Sequence, residues 1–154
     1  MTAVLQRVSR AAVYADGEFS GECGQGLLIL LGIATEDTEE DARLLADKIA
    51  RLRIFTDDQD KMNLSVTDVN GGVLVISNFT LQANYSRGNR PDYLGAARPE
   101  VAEPLYESFV RMMEERVSHV GHGKFGADMR IEMMGDGPVT IVMDSAVLKR
   151  GKSK

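Results

Sequence analysis

Apolar and polar positions change period several times along the chain, and each change marks an element. Residues 3–8 and 11–15 alternate in the manner of short strands, and Asp16-Gly17 between them and Glu18-Phe19-Ser20 is a hairpin signal. The uninterrupted run Leu27-Leu28-Ile29-Leu30-Leu31 fits a strand buried on both faces. Thr38 then offers an N-cap, and Glu39, Glu40 and Asp41 place negative charge where a helix dipole favours it. Leu45, Ile49 and Leu52 recur at helical spacing, so a helix is predicted to end near Arg53, ahead of the polar loop Asp57-Asp58-Gln59-Asp60.

A second interior strand, Val73-Leu74-Val75-Ile76, is launched by Gly71-Gly72 and runs into Ser77-Asn78-Phe79-Thr80-Leu81. The pattern then breaks over residues 84–99, punctuated by Gly88, Pro91, Gly95 and Pro99, and a loop this long in a compact domain is often functional. Leu105, Phe109, Met112 or Met113, and Val117 predict a second amphipathic helix with Pro104 in its first turn, where proline costs least. Two last strands, residues 129–133 and 139–143, are expected to form a hairpin around Gly135-Asp136-Gly137-Pro138. The order β-β-β-α-β-α-β-β implies a single mixed α/β (α+β) domain over residues 1–146, with two main helices packed on sheet. Residues 147–154, with Lys149, Arg150, Lys152 and Lys154, read as a frayed basic tail.

Composition narrows the function classes. No apolar run approaches the roughly 20 residues of a membrane helix, and the first residues lack the pattern of a signal peptide. A lone cysteine, Cys23, cannot close an internal disulfide, so a reducing cytoplasmic setting is expected. The net charge of −5, with the tail supplying much of the positive charge, argues against a protein that coats DNA or any duplex. A grip on the end of an RNA by a few local cations remains open.

Candidate chemistry is sparse. The only histidines, His119 and His122, sit in a glycine-containing segment expected to be a solvated loop; a metal site would need more ligands, and none is assigned. No nucleophile elbow, phosphate loop or dinucleotide fingerprint occurs, so no cofactor is expected. Cys23 reads as a small core residue. Two segments are less easily dismissed. Ser77-Asn78-Phe79-Thr80-Leu81 places polar groups at the end of an apolar strand, where they either cap a turn or line a ligand site. Gly137-Pro138 falls where a plain two-residue hairpin cannot form, because proline removes a ladder donor.

Together these segments resemble the D-aminoacyl-tRNA deacylase family, which carries a Ser-Gln-Phe-Thr-Leu box and an Asn-x-Gly-Pro-Val-Thr box. Here they read Ser77-Asn78-Phe79-Thr80-Leu81 and Gly135-Asp136-Gly137-Pro138-Val139-Thr140. The similarity extends through Leu5-Gln6-Arg7-Val8, Arg53-Ile54-Phe55, Gly88-Asn89-Arg90-Pro91 and Phe125-Gly126-Ala127-Asp128-Met129. The resemblance implies a proofreading hydrolase that removes D-amino acids, and glycine mischarged on tRNA-Ala, from the 3′ end of tRNA. It further implies a homodimer in which a cis Gly137-Pro138 peptide enters the partner's site and rejects L-amino acids, with Arg7 bracing that loop. Ser77, Phe79 and Thr80 would line the pocket for adenosine and ester, with Met129 near the base. With no evident base for Thr80, the RNA 2′-OH would assist water, and backbone N–H groups near Phe79 and Thr80 would hold the oxyanion. Thr80 as nucleophile is the lesser alternative. Asn78 is one methylene shorter than the family's Gln, and Gly135 replaces its Asn, so contacts across the pocket and support of the loop are both altered. Two other functions stay open: an RNA-end-binding module without turnover, and a metal-dependent hydrolase built on His119 and His122.

Overall fold

Strand β1 (Thr2–Ala15) organises the molecule, and the computed structural model describes residues 1–152 around it. Along one edge β1 pairs antiparallel first with β3 (Gly26–Gly32), Thr2 opposite Gly32, and then with β2 (Glu18–Cys23), Ala11 opposite Cys23. Its other edge pairs antiparallel with β8 (Met129–Asp144) from Thr2 opposite Asp144 to Ala15 opposite Met129. The two short segments expected at the N-terminus are thus one strand, because β8 pairs with β1 on both sides of the exposed Ser9-Arg10 step. The turn to β2 is as expected: Asp16 and Gly17 have φ of 50° and 84°, the positive values that a type I′ hairpin demands.

Strand β6 (Gly72–Ser77) lies parallel beside β3, and β7 (His119–His122) lies parallel beside β6. Parallel neighbours need long crossovers, supplied here by α1 (Glu39–Arg51) and α2 (Pro99–Glu114). A small hairpin, β4 (Phe55–Thr56) with β5 (Met62–Leu64), follows α1, and α3 (Ser145–Lys152) follows β8. The sheet curls until its end strands meet through glycine. A Cβ on Gly121 would stand 2.5 Å from the Glu22 carbonyl oxygen, and one on Gly21 would stand 2.7 Å from the His122 nitrogen. The result is a nearly closed mixed sheet with helices on its outer face.

Alternate residues of β3 and β6 serve opposite faces. Leu27, Ile29, Leu31, Val73 and Val75 pack under the helices with Leu45, Ile49, Leu105, Phe109 and Met113. Leu28, Leu74 and Ile76 fill the inside of the curl with Val8, Val13 and Cys23. Cys23 is a core residue, and burial pushes its thiol up to about 11, which keeps it protonated and unreactive.

Four local expectations are corrected. Residues 129–133 and 139–143 do not pair with each other; both belong to β8, because both pair with β1. Gln6 faces Thr140 and Val8 faces Gly135, so residues 136–138 are surplus and bulge from the strand. Pro104 lies inside α2, whose first position is taken by Pro99. Glu100, whose carbonyl loses its partner, is exposed, so water can replace the missing donor. The histidine segment is strand β7, held by pairing with β6. Finally, the segment expected to fray from residue 147 is helical through Lys152, while residues 153 and 154 lie outside the described residues. Asp41 at the start of α1 anchors this helix, accepting from Ser145 Oγ at 2.6 Å and lying 2.9 Å from Lys149 Nζ. Burial opposes ionisation of Asp41, but these bonds outweigh it and hold its carboxyl well below the usual carboxylate range.

Candidate active site

Where β6 runs out, the chain stops making ladder bonds and turns. Asn78 N–H still donates to the Leu31 carbonyl at 2.8 Å, and residues Phe79–Gln82 then form one 3₁₀ turn. Leu81 N–H and Ala83 N–H close this turn on the carbonyls of Asn78 and Thr80. The N–H groups of Phe79 and Thr80 precede that ladder, as the first donors of any helical turn do. The turn lies flush on β3 because residue 32 is glycine: a Cβ there would be 2.7 Å from Leu81 Cβ. Gln82 fastens it by donating through Nε2 to the Gly32 carbonyl at 3.1 Å and to Thr2 Oγ1 at 3.2 Å.

A cavity of about 580 Å³ opens beside this turn. Leu31, Ile33, Ser77, Asn78 and Phe79 form one wall, Tyr93, Ala96, Ala97, Pro99 and Ala102 a second, and Phe125 to Met129 the third. Phe79, though 59% exposed, stands edge-on to Tyr93 with ring centroids 5.1 Å apart. Tyr106 sets the third wall. Its buried hydroxyl lies 3.1 Å from the Val75 carbonyl and 3.3 Å from the Gly123 carbonyl, and burial raises its pKa, so it remains a donor. Gly123 in turn lets Met129 in, since a Cβ there would meet its sulfur at 2.5 Å.

Thr80 is exposed next to this cavity. Its hydroxyl donates to Asn78 Oδ1 at 2.5 Å. A carboxamide oxygen is a poor proton acceptor for catalysis, so this contact orients the hydroxyl without activating it. The Asn78 side-chain oxygen is thereby engaged within its own turn.

The remaining sequence-derived candidates form a second locus. The bulge of β8 carries Gly137-Pro138, whose peptide bond is cis, and none of the two lines the cavity. Arg7 stands behind the bulge. Its Nε donates to the Asp136 carbonyl at 3.0 Å and lies 3.3 Å from the Asp136 carboxylate, while Nη1 donates to the Ile54 carbonyl at 2.9 Å. Position 135 offers no side chain, and Asp136 supplies the fastening.

The structure therefore brings Ser77, Asn78, Phe79 and Met129 to one cavity, with Thr80 adjoining, and gathers Arg7, Gly137 and Pro138 elsewhere. Sequence reasoning missed Tyr93, Ala96, Phe125 and Asp128 as lining residues. The irregular loop had marked the first two, and the Phe125-Gly126-Ala127-Asp128-Met129 stretch the others, without distinguishing individual positions. His119 and His122 lie off the cavity, with their ring nitrogens on the carbonyls of Glu22 and Gly123.

Comparison with known proteins agrees with the motif resemblance. A family model described as D-Tyr-tRNA(Tyr) deacylase matches residues 4–144. A D-aminoacyl-tRNA deacylase of Anaeromyxobacter dehalogenans is 54% identical over 145 residues, covering 94% of this chain and 97% of that protein. One of Roseiflexus castenholzii is 49% identical over 154 residues, covering 100% and 98%. Among solved structures, a chain described as c-Myc DNA Unwinding Element Binding Protein superposes with a TM-score of 0.87 at 41% identity, covering 94% of this chain and 98% of that one.

Proposed function

The chain belongs to the D-Tyr-tRNA(Tyr) deacylase family, and from that premise we propose that it hydrolyses the ester between a D-amino acid and the 3′-terminal ribose of tRNA in the cytoplasm. The observation that carries the proposal is an apolar cavity with an aromatic wall, bordered by the 3₁₀ turn whose leading N–H groups are those of Phe79 and Thr80. Adenosine enters among Phe79, Phe125 and Met129, and the ester carbonyl is directed at those N–H groups. As water attacks the carbonyl carbon, they take the charge that develops on oxygen. The C–O bond to the ribose then breaks, and the leaving oxygen receives a proton. The neighbouring ribose 2′-OH is the group placed to relay these protons, because Thr80 has only an amide oxygen as partner. No covalent enzyme intermediate is required, and an end lacking the 2′-OH is a poor substrate.

Selectivity is assigned to the second locus. The bulge at Gly137-Pro138 is exposed and braced by Arg7, yet lies off the cavity of its own chain. In a homodimer it enters the partner's cavity and occupies the space an L side chain would need, so that D-amino acids and glycine are accepted by exclusion rather than attraction. Glycine mischarged on tRNA-Ala is accordingly a substrate. Exposed Ile131, Met133, Met134 and Val142 on β8 support such an association.

The test follows loss of the ester when purified protein meets D-Tyr-tRNA and L-Tyr-tRNA. Cleavage of the D ester with the L ester spared is expected. Cleavage of both would overturn the filter, and cleavage of neither would leave an RNA-end-binding module.

A further inference from the structure

The loop that precedes α2 does more than wall the cavity. Asn84 and Asp92 pin its base: their backbones exchange hydrogen bonds of 2.8 and 3.0 Å, and Asn84 Nδ2 donates to Asp92 Oδ2 at 3.1 Å. Leu94 N–H donates to the other oxygen of Asp92 at 3.2 Å. The one carboxylate between residues 84 and 98 is thus spent on shaping the loop. Three arginines of that stretch, Arg87, Arg90 and Arg98, are exposed, and no guanidinium among them has a carboxylate or hydrogen-bond partner among the described residues. Outside the loop, Arg7, Arg43, Arg116 and Lys149 are tied to carboxylates, whereas exposed Arg10 and Arg130 are not. What sets the loop apart is that its unpaired arginines share it with exposed aromatic and apolar side chains. Tyr85 and Leu94 are 82% and 86% exposed beside these free charges, while Tyr93 of the same loop faces into the cavity.

A rigid-based loop that alternates unpaired arginine with exposed aromatic and apolar side chains has the chemistry of a single-stranded nucleic-acid seat. Arginine neutralises phosphates, and a ring stacks on any base. Tyr93, at the far end of this loop, lines the cavity, and that connection decides which nucleotides the loop can reach. Resting on the function proposed above, we propose that the loop of residues 84–94 holds the unpaired RNA immediately 5′ of the terminal adenosine, with Tyr85 stacking a base and Arg87 and Arg90 on the backbone. This local patch reconciles an RNA substrate with a net charge of −5, since attraction is confined to the few nucleotides next to the ester.

The experiment compares two substrates that share the ester and differ upstream: D-Tyr-tRNA and D-tyrosyl-adenosine. Tyr85→Ala and the double variant R87Q/R90Q are expected to raise KM for the tRNA about 10-fold, the scale of one lost stack. They should leave kcat, and cleavage of the adenosine ester, unchanged, and Tyr85→Phe should retain wild-type KM. R87Q/R90Q should also flatten the salt dependence of tRNA binding by about 1.4 in log–log slope, at roughly 0.7 per single-strand phosphate contact. Wild-type kinetics on tRNA, or equal loss on both substrates, would overturn the proposal. If the unmodified protein cleaves neither ester, the hydrolase function fails. Binding of an RNA oligonucleotide ending in CCA then decides the seat, which stands if the variants weaken binding and falls if they do not.

Discussion

β6 is rich in aliphatic side chains and β8 in aliphatic and methionine ones, yet they live in opposite environments. Every residue of β6 from Gly72 to Ile76 is buried, with the helices on one face and the inside of the curl on the other. In β8 only Val139 and Met143 are buried, and Ile131, Met133, Met134 and Val142 stand open to solvent beside a bulge. β6 also has neighbours on both edges, whereas β8 pairs, among the described residues, only with β1. An edge strand of such length, with apolar side chains and no covering element, is normally masked by a partner. The contrast separates a region completed within one chain from one that the proposed second copy would complete. The two halves of the candidate site fall on either side of it: the cavity hangs from β6, the bulge from β8.

The sharpest way to break this contrast is to damage β6. Leu74 is fully buried inside the curl, so Leu74→Ala should cost about 2–5 kcal/mol in urea unfolding. A loss below 1 kcal/mol would mean that the curl is loosely packed and that β6 is no more complete than β8.

Damage to the bulge should instead act on selectivity. A Cβ on Gly137 would stand 2.2 Å from the Val139 nitrogen, so Gly137→Ala must displace the loop that Arg7 braces. The preference for D over L ester is expected to fall by up to roughly 100-fold, the range in which pocket shape alone discriminates. The urea midpoint should barely move, because the bulge is solvent-exposed. Unchanged preference would remove the bulge from the selectivity device.

The same contrast explains what was legible in the sequence. Strands β3 and β6 were plain because burial on both faces leaves an unbroken apolar run, and α1 was plain because one face is buried and its N-cap is marked by Thr38 and Asp41, whose Oδ2 accepts from Thr38 N–H at 2.8 Å. β8 reads from sequence as a hairpin. Gly135, Gly137 and Pro138 carry the local signature of a turn, and nothing within residues 129–144 reveals that both flanks pair with β1, more than 100 positions earlier. Pro104 carries the local signature of a first-turn proline, but Pro99, which reads as loop punctuation, holds that position. Ser77, Asn78 and Phe79 stood out as polar or exposed groups ending an apolar strand. Tyr93 and Phe125 did not, since an aromatic residue in a loop looks alike whether it lines a cavity or covers a core.

The smallest effect on the chain itself is expected where the contrast is most informative. Met134 is 52% exposed on β8 and faces Arg10 across the strand pair. A lysine there removes little buried surface, so Met134→Lys should change the stability of an isolated chain by no more than about 0.5 kcal/mol. If β8 lies against a second copy, the same substitution buries a charge without a partner, a cost that association cannot absorb. Sedimentation should then show a dimer for the unmodified protein and a folded monomer for the variant. Activity should respond in step, since a cavity without the neighbouring bulge keeps its N–H groups but loses the surface that excludes L side chains. A variant that remains dimeric with its preference for D ester intact would place the interface elsewhere and leave the open face of β8 unexplained. A monomer that still spares the L ester would show that the bulge acts on its own chain, and the division between a self-sufficient cavity and a partner-dependent filter would collapse.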